Sequence, residues 1–112
     1  MFILLISCSS TLNFSGESTN WKVKYNPTIN TKTNSEQGTY EFRFKGKKMK
    51  DNTVDELVIE SESKNTRVTD ISLQKGVIRV PVSCSGCAIS NKYTSIRITI
   101  KWDDIEESLI LK

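Results

Sequence analysis

Histidine is absent from this chain of 112 residues. That excludes a Ser-His-Asp or Cys-His device, an HExxH zinc site and a C2H2 finger, because each needs an imidazole. Alanine occurs once, at Ala88, whereas Ile, Val and Thr together supply 30 residues. A chain poor in the best helix former and rich in β-branched side chains favours strands. Charge is missing from residues 1–16: all 29 charged residues lie at or after Glu17. Apolar residues make up 37% and the net charge is +3, which fits one small soluble domain with a modest core. No motif names a reaction, and no cofactor is called for.

The uncharged start, Met-Phe-Ile-Leu-Leu-Ile-Ser, runs into Cys8. It falls well short of the ~20 apolar residues that span a bilayer and lacks the basic n-region of a secretory signal. Leu5-Ile6-Ser7-Cys8 nevertheless resembles the lipobox of bacterial lipoproteins, in which the cysteine receives a diacylglyceryl group and the chain is cut just before it. The resemblance implies that residues 1–7 are the remnant of a truncated signal and that Cys8 is lipidated. Residues 9–20 are mostly small and polar, so residues 8–20 are expected to be a lipidated cysteine and flexible tether. The plain alternative is a first strand over 2–6 with Cys8 a buried thiol.

Beyond this the period is two. Trp21-Lys22-Val23-Lys24-Tyr25 alternates cleanly until Asn26-Pro27 breaks it, and residues 26–38 read as a long polar loop with Ile29 its only large apolar residue. Tyr40-Glu41-Phe42-Arg43-Phe44-Lys45 sets three aromatics against three charges. A strand or a short helix is expected over 54–60, with Leu57 and Ile59 inward. Residues 67–73 and 77–82 read as a hairpin about Gln74-Lys75-Gly76, with Pro81 marking an edge or bulge. A long strand over 93–102 has Ile96, Ile98, Ile100 and Trp102 inward, and Asp103-Asp104 turns into a last strand with Leu109 and Leu111 inward. About seven strands over 21–112, with turn signals every 8–12 residues, predict an all-β antiparallel sandwich of immunoglobulin-like architecture, with a small barrel as the alternative.

The three cysteines are Cys8, Cys84 and Cys87. Lipidation of Cys8 leaves Cys84 and Cys87 as an even pair in an exported protein. Their CxxC spacing admits a structural disulfide, a redox pair, two-coordinate Cu(I) binding, or two inert thiols. The redox reading is weakened because Ala88-Ile89-Ser90-Asn91-Lys92 is turn-like, and a reactive CxxC depends on a helix N-terminus. Zinc is disfavoured by the shortage of ligands.

Lys45, Lys47, Lys48 and Lys50 form a basic run at a predicted turn. It is either solvated turn chemistry or a contact for anionic lipid headgroups or wall polymers. Nucleic acid is a poor partner, since no recognition helix is visible. Asp103, Asp104, Glu106 and Glu107 read as a soluble turn, because the loop spacing and glycine of a Ca2+ site are missing. Trp21, Tyr25, Tyr40, Phe42, Phe44 and Trp102 are expected in the core, whereas Phe14, in the tether, has no obvious core role and either packs on the domain or lies near the membrane. The CxxC, the Ile-x-Ile-x-Ile-x-Trp strand and the final hairpin over 84–112 look like small Gram-positive lipoproteins with an all-β extracytoplasmic domain. That resemblance implies a location, the outer face of the cell membrane, with the membrane reached through the lipid and a protein or wall polymer as partner. The expectation is a non-enzymatic binding or structural module, with thiol or copper handling at Cys84 and Cys87 as the rival.

Overall fold

Trp21, Val23, Tyr25, Pro27 and Ile29 are all buried, and the residues between them are exposed. One unbroken two-residue period therefore runs through Asn26-Pro27. The computed structural model describes residues 9–47, 49–62 and 65–112, and divides this stretch into β3 (Trp21–Tyr25) and β4 (Thr28–Asn30). Both pair with β5 (Ser35–Phe44) in a single register: Tyr25 stands opposite Tyr40, and Thr28 opposite Gln37. Pro27 removes a donor and interrupts the ladder without displacing it. The long polar loop expected over 26–38 is thus corrected to a strand, a turn over 31–34 and the first part of β5.

The same happens one line further out. Residues 9–20, expected as a tether, contain β1 (Ser9–Thr11) and β2 (Phe14–Glu17). Strand β1 pairs with β4 and β2 with β3, again in one register, with Leu12 N–H donating to the Pro27 carbonyl at 3.1 Å between them. Phe14 is buried against Tyr25, their ring centroids 6.1 Å apart. The folded unit therefore begins by Ser9, not at Trp21. The expectation of a first strand over 2–6, like the lipobox itself, lies outside the described residues.

The remaining strands are β6 (Thr53–Glu60), β7 (Asn65–Ser72), β8 (Val77–Ser85), β9 (Ile96–Trp102) and β10 (Ile105–Leu111). Strand β8 pairs with β5 along the far edge of the first sheet, and the second sheet runs β10-β9-β6-β7. Followed by register, the ten strands found among the described residues form eight lines, four to a sheet. All pairings are antiparallel and the two sheets pack face to face, so the chain is an all-β sandwich and not a closed barrel. Strand β6 settles the choice between strand and helix at 54–60, with Val54, Leu57 and Ile59 buried.

The hairpin expected from 67–73 and 77–82 is corrected. Gln74 and Val77 do exchange backbone hydrogen bonds around Lys75 and Gly76, both at positive φ. Strands β7 and β8 nonetheless belong to different sheets, so the turn is a corner between layers. Pro81 sits on edge strand β8, where a missing donor costs no ladder bond. Asp103 and Asp104, at φ 44° and 62°, form the tight turn that returns β9 into β10.

The core lies between the layers. Trp21 from the first sheet meets Trp102 from the second edge to face at 5.6 Å, and Phe44 closes on both. Ile96, Ile98, Ile100, Leu109 and Leu111 fill the second sheet's inner face. Each such side chain contributes about 1.5–3 kcal/mol on burial.

Candidate functional site

The register assigns the loops to two poles. Ser9 stands opposite Asn30, Asn30 opposite Ser35, and Ser35 opposite Ser85. One pole therefore carries the start of β1, the 31–34 turn, the Cys84–Cys87 loop and the segment leading to β9. The end of β6 and the start of β7 are at the same end of the second sheet, where Glu60 stands opposite Asn65 and Arg97. The other pole carries residues 18–20, 45–47, 49–52, 73–76 and the Asp103-Asp104 turn. Strand β5 connects the poles; its ten residues span roughly 30 Å at about 3.3 Å per residue.

At the first pole Cys84 and Cys87 are joined as a disulfide, with Cα atoms 6.1 Å apart. Gly86, at φ 67°, makes the turn between them. The Asn34 carbonyl accepts the N–H groups of Gly86 and Cys87 at 2.8 and 3.2 Å, binding this loop to the neighbouring turn. No helix follows Cys87: the chain turns through 92–93 and enters β9 at Ile96. The strand expected to start at Tyr93 begins three residues later, and Tyr93 stands in the loop, 82% exposed.

Beneath this loop is a buried carboxylate that the sequence did not single out. Glu36 is almost wholly buried on β5. It accepts the Tyr25 hydroxyl at 2.6 Å, the Ser90 N–H at 2.7 Å and the Ser90 hydroxyl at 3.0 Å. Satisfying the carboxylate in this way offsets the cost of burying it. Tyr25 stacks on Tyr40 at 3.8 Å, nearly parallel. Burial, and then the hydrogen bond to Glu36, push the Tyr25 phenol far above its usual range; burial and the Glu36 charge do the same to Tyr40. Both phenols stay neutral, so Tyr25 remains a donor. An adjoining cavity of about 20 Å³ touches Glu36, Tyr40 and Cys84, room for one water and no larger ligand. The arrangement pins the 86–95 loop to the sheet and offers no substrate pocket.

The predicted lysines lie at the other pole. Lys45, Lys47 and Lys50 are exposed there, while Lys48 lies outside the described residues, as does Cys8. Lys45 pairs with Glu17 at 3.2 Å, and the Lys50 N–H donates to Asp103 at 3.0 Å. Lys47 and Lys50 rim an open cleft of about 530 Å³ whose apolar floor is Phe44, Met49 and Leu73. The run is therefore less uniform than its sequence suggests: one lysine is paired, and Asp51 shares the rim.

The acidic cluster divides as well. Glu106 pairs with Lys101, but Glu107 turns to the first strands and accepts the Asn20 N–H at 3.0 Å, the Asn20 side-chain amide and the Ser18 hydroxyl. Burial alone would raise its pKa; the hydrogen bonds from Ser18 and Asn20 outweigh burial and hold it below the usual carboxylate range. The aromatics expected in the core are there, with Phe44 half-buried, and Phe14 joins them. Among the described residues no group of three or more Cys, Asp or Glu side chains could hold a metal ion. Compared with protein-family models, curated proteins and solved structures, the chain matches none.

Proposed function

We propose that this protein is a lipid-anchored, extracytoplasmic, non-enzymatic module, attached to the outer face of the cell membrane through Cys8 and presenting its far pole to a partner. The anchor reading comes from Leu5-Ile6-Ser7-Cys8. The observation that carries the arrangement is the register of Ser9, the residue after Cys8. It opens the first strand at the pole opposite Lys45, Lys47 and Lys50. An anchor at Cys8 has no flexible tether behind it, because the sheet starts at the next residue. The lysines then stand roughly 30 Å along the strands from the anchored end, beyond the ~8 Å screening length at physiological salt. This favours a wall polymer or a protein over lipid headgroups as the partner of the basic pole.

Labelling with a fatty acid in the native host tests the anchor. The expected result is label on the wild type and none on Cys8→Ala; no label on the wild type, or equal label on both, overturns it.

The second reading is thiol/disulfide or copper handling at Cys84 and Cys87. In its favour, the pair is only partly buried, with Cys84 at the end of β8 and Cys87 in the loop that follows. Against it, no helix dipole is present to stabilise a thiolate. Thiol counting in a glutathione buffer separates the two: a bond that resists reduction supports the structural role, and a readily reduced one supports redox work.

A further inference from the structure

The pole that begins at Ser9 carries an unusual exposed side chain. Of the three tyrosines, Tyr25 and Tyr40 are buried, and Tyr93 is 82% exposed. Its backbone is held by hydrogen bonds. The Tyr93 N–H donates to the Asn91 side chain at 2.8 Å, the Asn91 N–H to the Thr94 hydroxyl at 2.9 Å, and Ser90 is held by buried Glu36. The disulfide closes the other end of the same segment. The Lys92 ammonium lies 5.1 Å from the Tyr93 ring centroid. Residues 31–34 and 86–95, the two loops of this end of the first sheet, contain Lys32 and Lys92 and no Asp or Glu. The buried Glu36 beneath the 86–95 loop is taken up by Tyr25 and Ser90, and the exposed acidic residues of the pole, Glu60 and Glu62, are at the end of the second sheet, where Glu60 stands opposite Arg97.

We propose that this pole seats on anionic lipid headgroups, with Tyr93 at headgroup depth and Lys92 and Lys32 against the phosphates. A tyrosine has an apolar ring and a polar tip, the chemistry of the membrane–water boundary. A lysine beside an anionic surface is attracted to it. A seat this small is too weak to hold a free protein, but an anchor at Cys8, the residue before Ser9 in sequence, makes the contact intramolecular, so a weak contact suffices. The seat orients the sandwich with β5 along the membrane normal and the basic cleft outward. It deepens the lipid-anchor reading and rests on it for its setting.

The test separates the two. The full chain, with Cys84 and Cys87 oxidised, is coupled through Cys8 to a maleimide-bearing lipid in vesicles, so that the outcome is independent of lipidation in the cell. Nitration of Tyr93 is followed by mass spectrometry on phosphatidylglycerol vesicles, on phosphatidylcholine vesicles and without vesicles, with acetylation of Lys47 as the far-pole reference. The seat predicts at least fivefold slower nitration on phosphatidylglycerol, little slowing on phosphatidylcholine and unchanged Lys47 acetylation. Lys32→Ala with Lys92→Ala restores the rate. Equal nitration on and off phosphatidylglycerol, equal slowing on both lipids, or protection of Lys47 instead overturns the proposal. Fatty-acid labelling at Cys8 decides the anchor by itself.

Discussion

Ser15 and Lys112 exchange two backbone hydrogen bonds, at 3.2 and 3.1 Å, and so join the second strand to the end of the chain. The seam closes one side of the sandwich, where β2 of the first sheet meets β10 of the second. On the other side the edges are β7 and β8, each with a device that discourages further pairing: Asp70 at φ 54° and Pro81. If residues 9–17 belong to the fold, removing their one large core side chain must be costly. Phe14→Ala is expected to lower stability by about 3–5 kcal/mol, the range for a buried aromatic, in urea unfolding followed by tryptophan fluorescence. A change within about 0.5 kcal/mol, as for an ordinary surface site, would mean the segment is a tether.

Glu107 makes the same seam sensitive to acid. Its folded pKa is below the unfolded value of about 4.3. The stability it contributes is therefore present above that value and lost as pH falls through the folded pKa. Melting temperature should drop on going below pH 4, and Glu107→Gln should show a smaller drop over the same window. The remaining acid dependence includes Glu56, whose pKa is lowered chiefly by its hydrogen bond with Arg67.

Gly38 lies on β5 beside Pro27, between the pairs Tyr25–Tyr40 and Thr28–Gln37. A Cβ added there would come within 2.8 Å of Pro27 Cα and 3.0 Å of the Tyr25 ring. Neither backbone nor stacked ring can yield easily, so Gly38→Ala is expected to destabilise by about 1–3 kcal/mol, the cost of overpacking. Gly86→Ala is a useful contrast: a Cβ there meets nothing, and any loss comes from its φ of 67° alone.

The disulfide and the buried carboxylate hold one loop by different means, and their removal should differ in size. Replacing Cys84 and Cys87 by Ser opens a ring of few residues and should cost roughly 2 kcal/mol or less in the chain-entropy account. Glu36→Leu leaves the Tyr25 hydroxyl and the Ser90 N–H without their acceptor. Each such group costs about 1–3 kcal/mol when buried, so the Glu36 variant should be the less stable of the two in thermal unfolding. The reverse order would show that the disulfide is the principal tie of the loop.

The architecture was legible where side chains alternate strongly. Trp21 to Tyr25, Tyr40 to Phe44 and Ile96 to Leu111 announce their inner faces through period and size. Two stretches were misread because punctuation outweighed period. Pro27 suggests a break, yet Trp21, Val23, Tyr25, Pro27 and Ile29 keep one inner face across it. Leu12, Phe14 and Gly16 also alternate with Asn13, Ser15 and Glu17, but the inward residues are few and one is a glycine, so composition suggested a tether. Sheet membership of β7 and β8 could not be inferred, since a tight Lys75-Gly76 turn suits a corner as well as a hairpin. The Glu36 network joins residues 54 positions apart and leaves no local signal. Tyr93 did leave one: it is out of phase with Ile96, Ile98 and Ile100, and so could not share their inner face.

The most direct measurement for the central claim is the intact mass of the protein extracted from host membranes, with fragmentation to locate the modification. The account predicts a mature chain beginning at Cys8, with a diacylglyceryl group on that residue. A chain that retains residues before Cys8, or carries an unmodified Cys8, would contradict it.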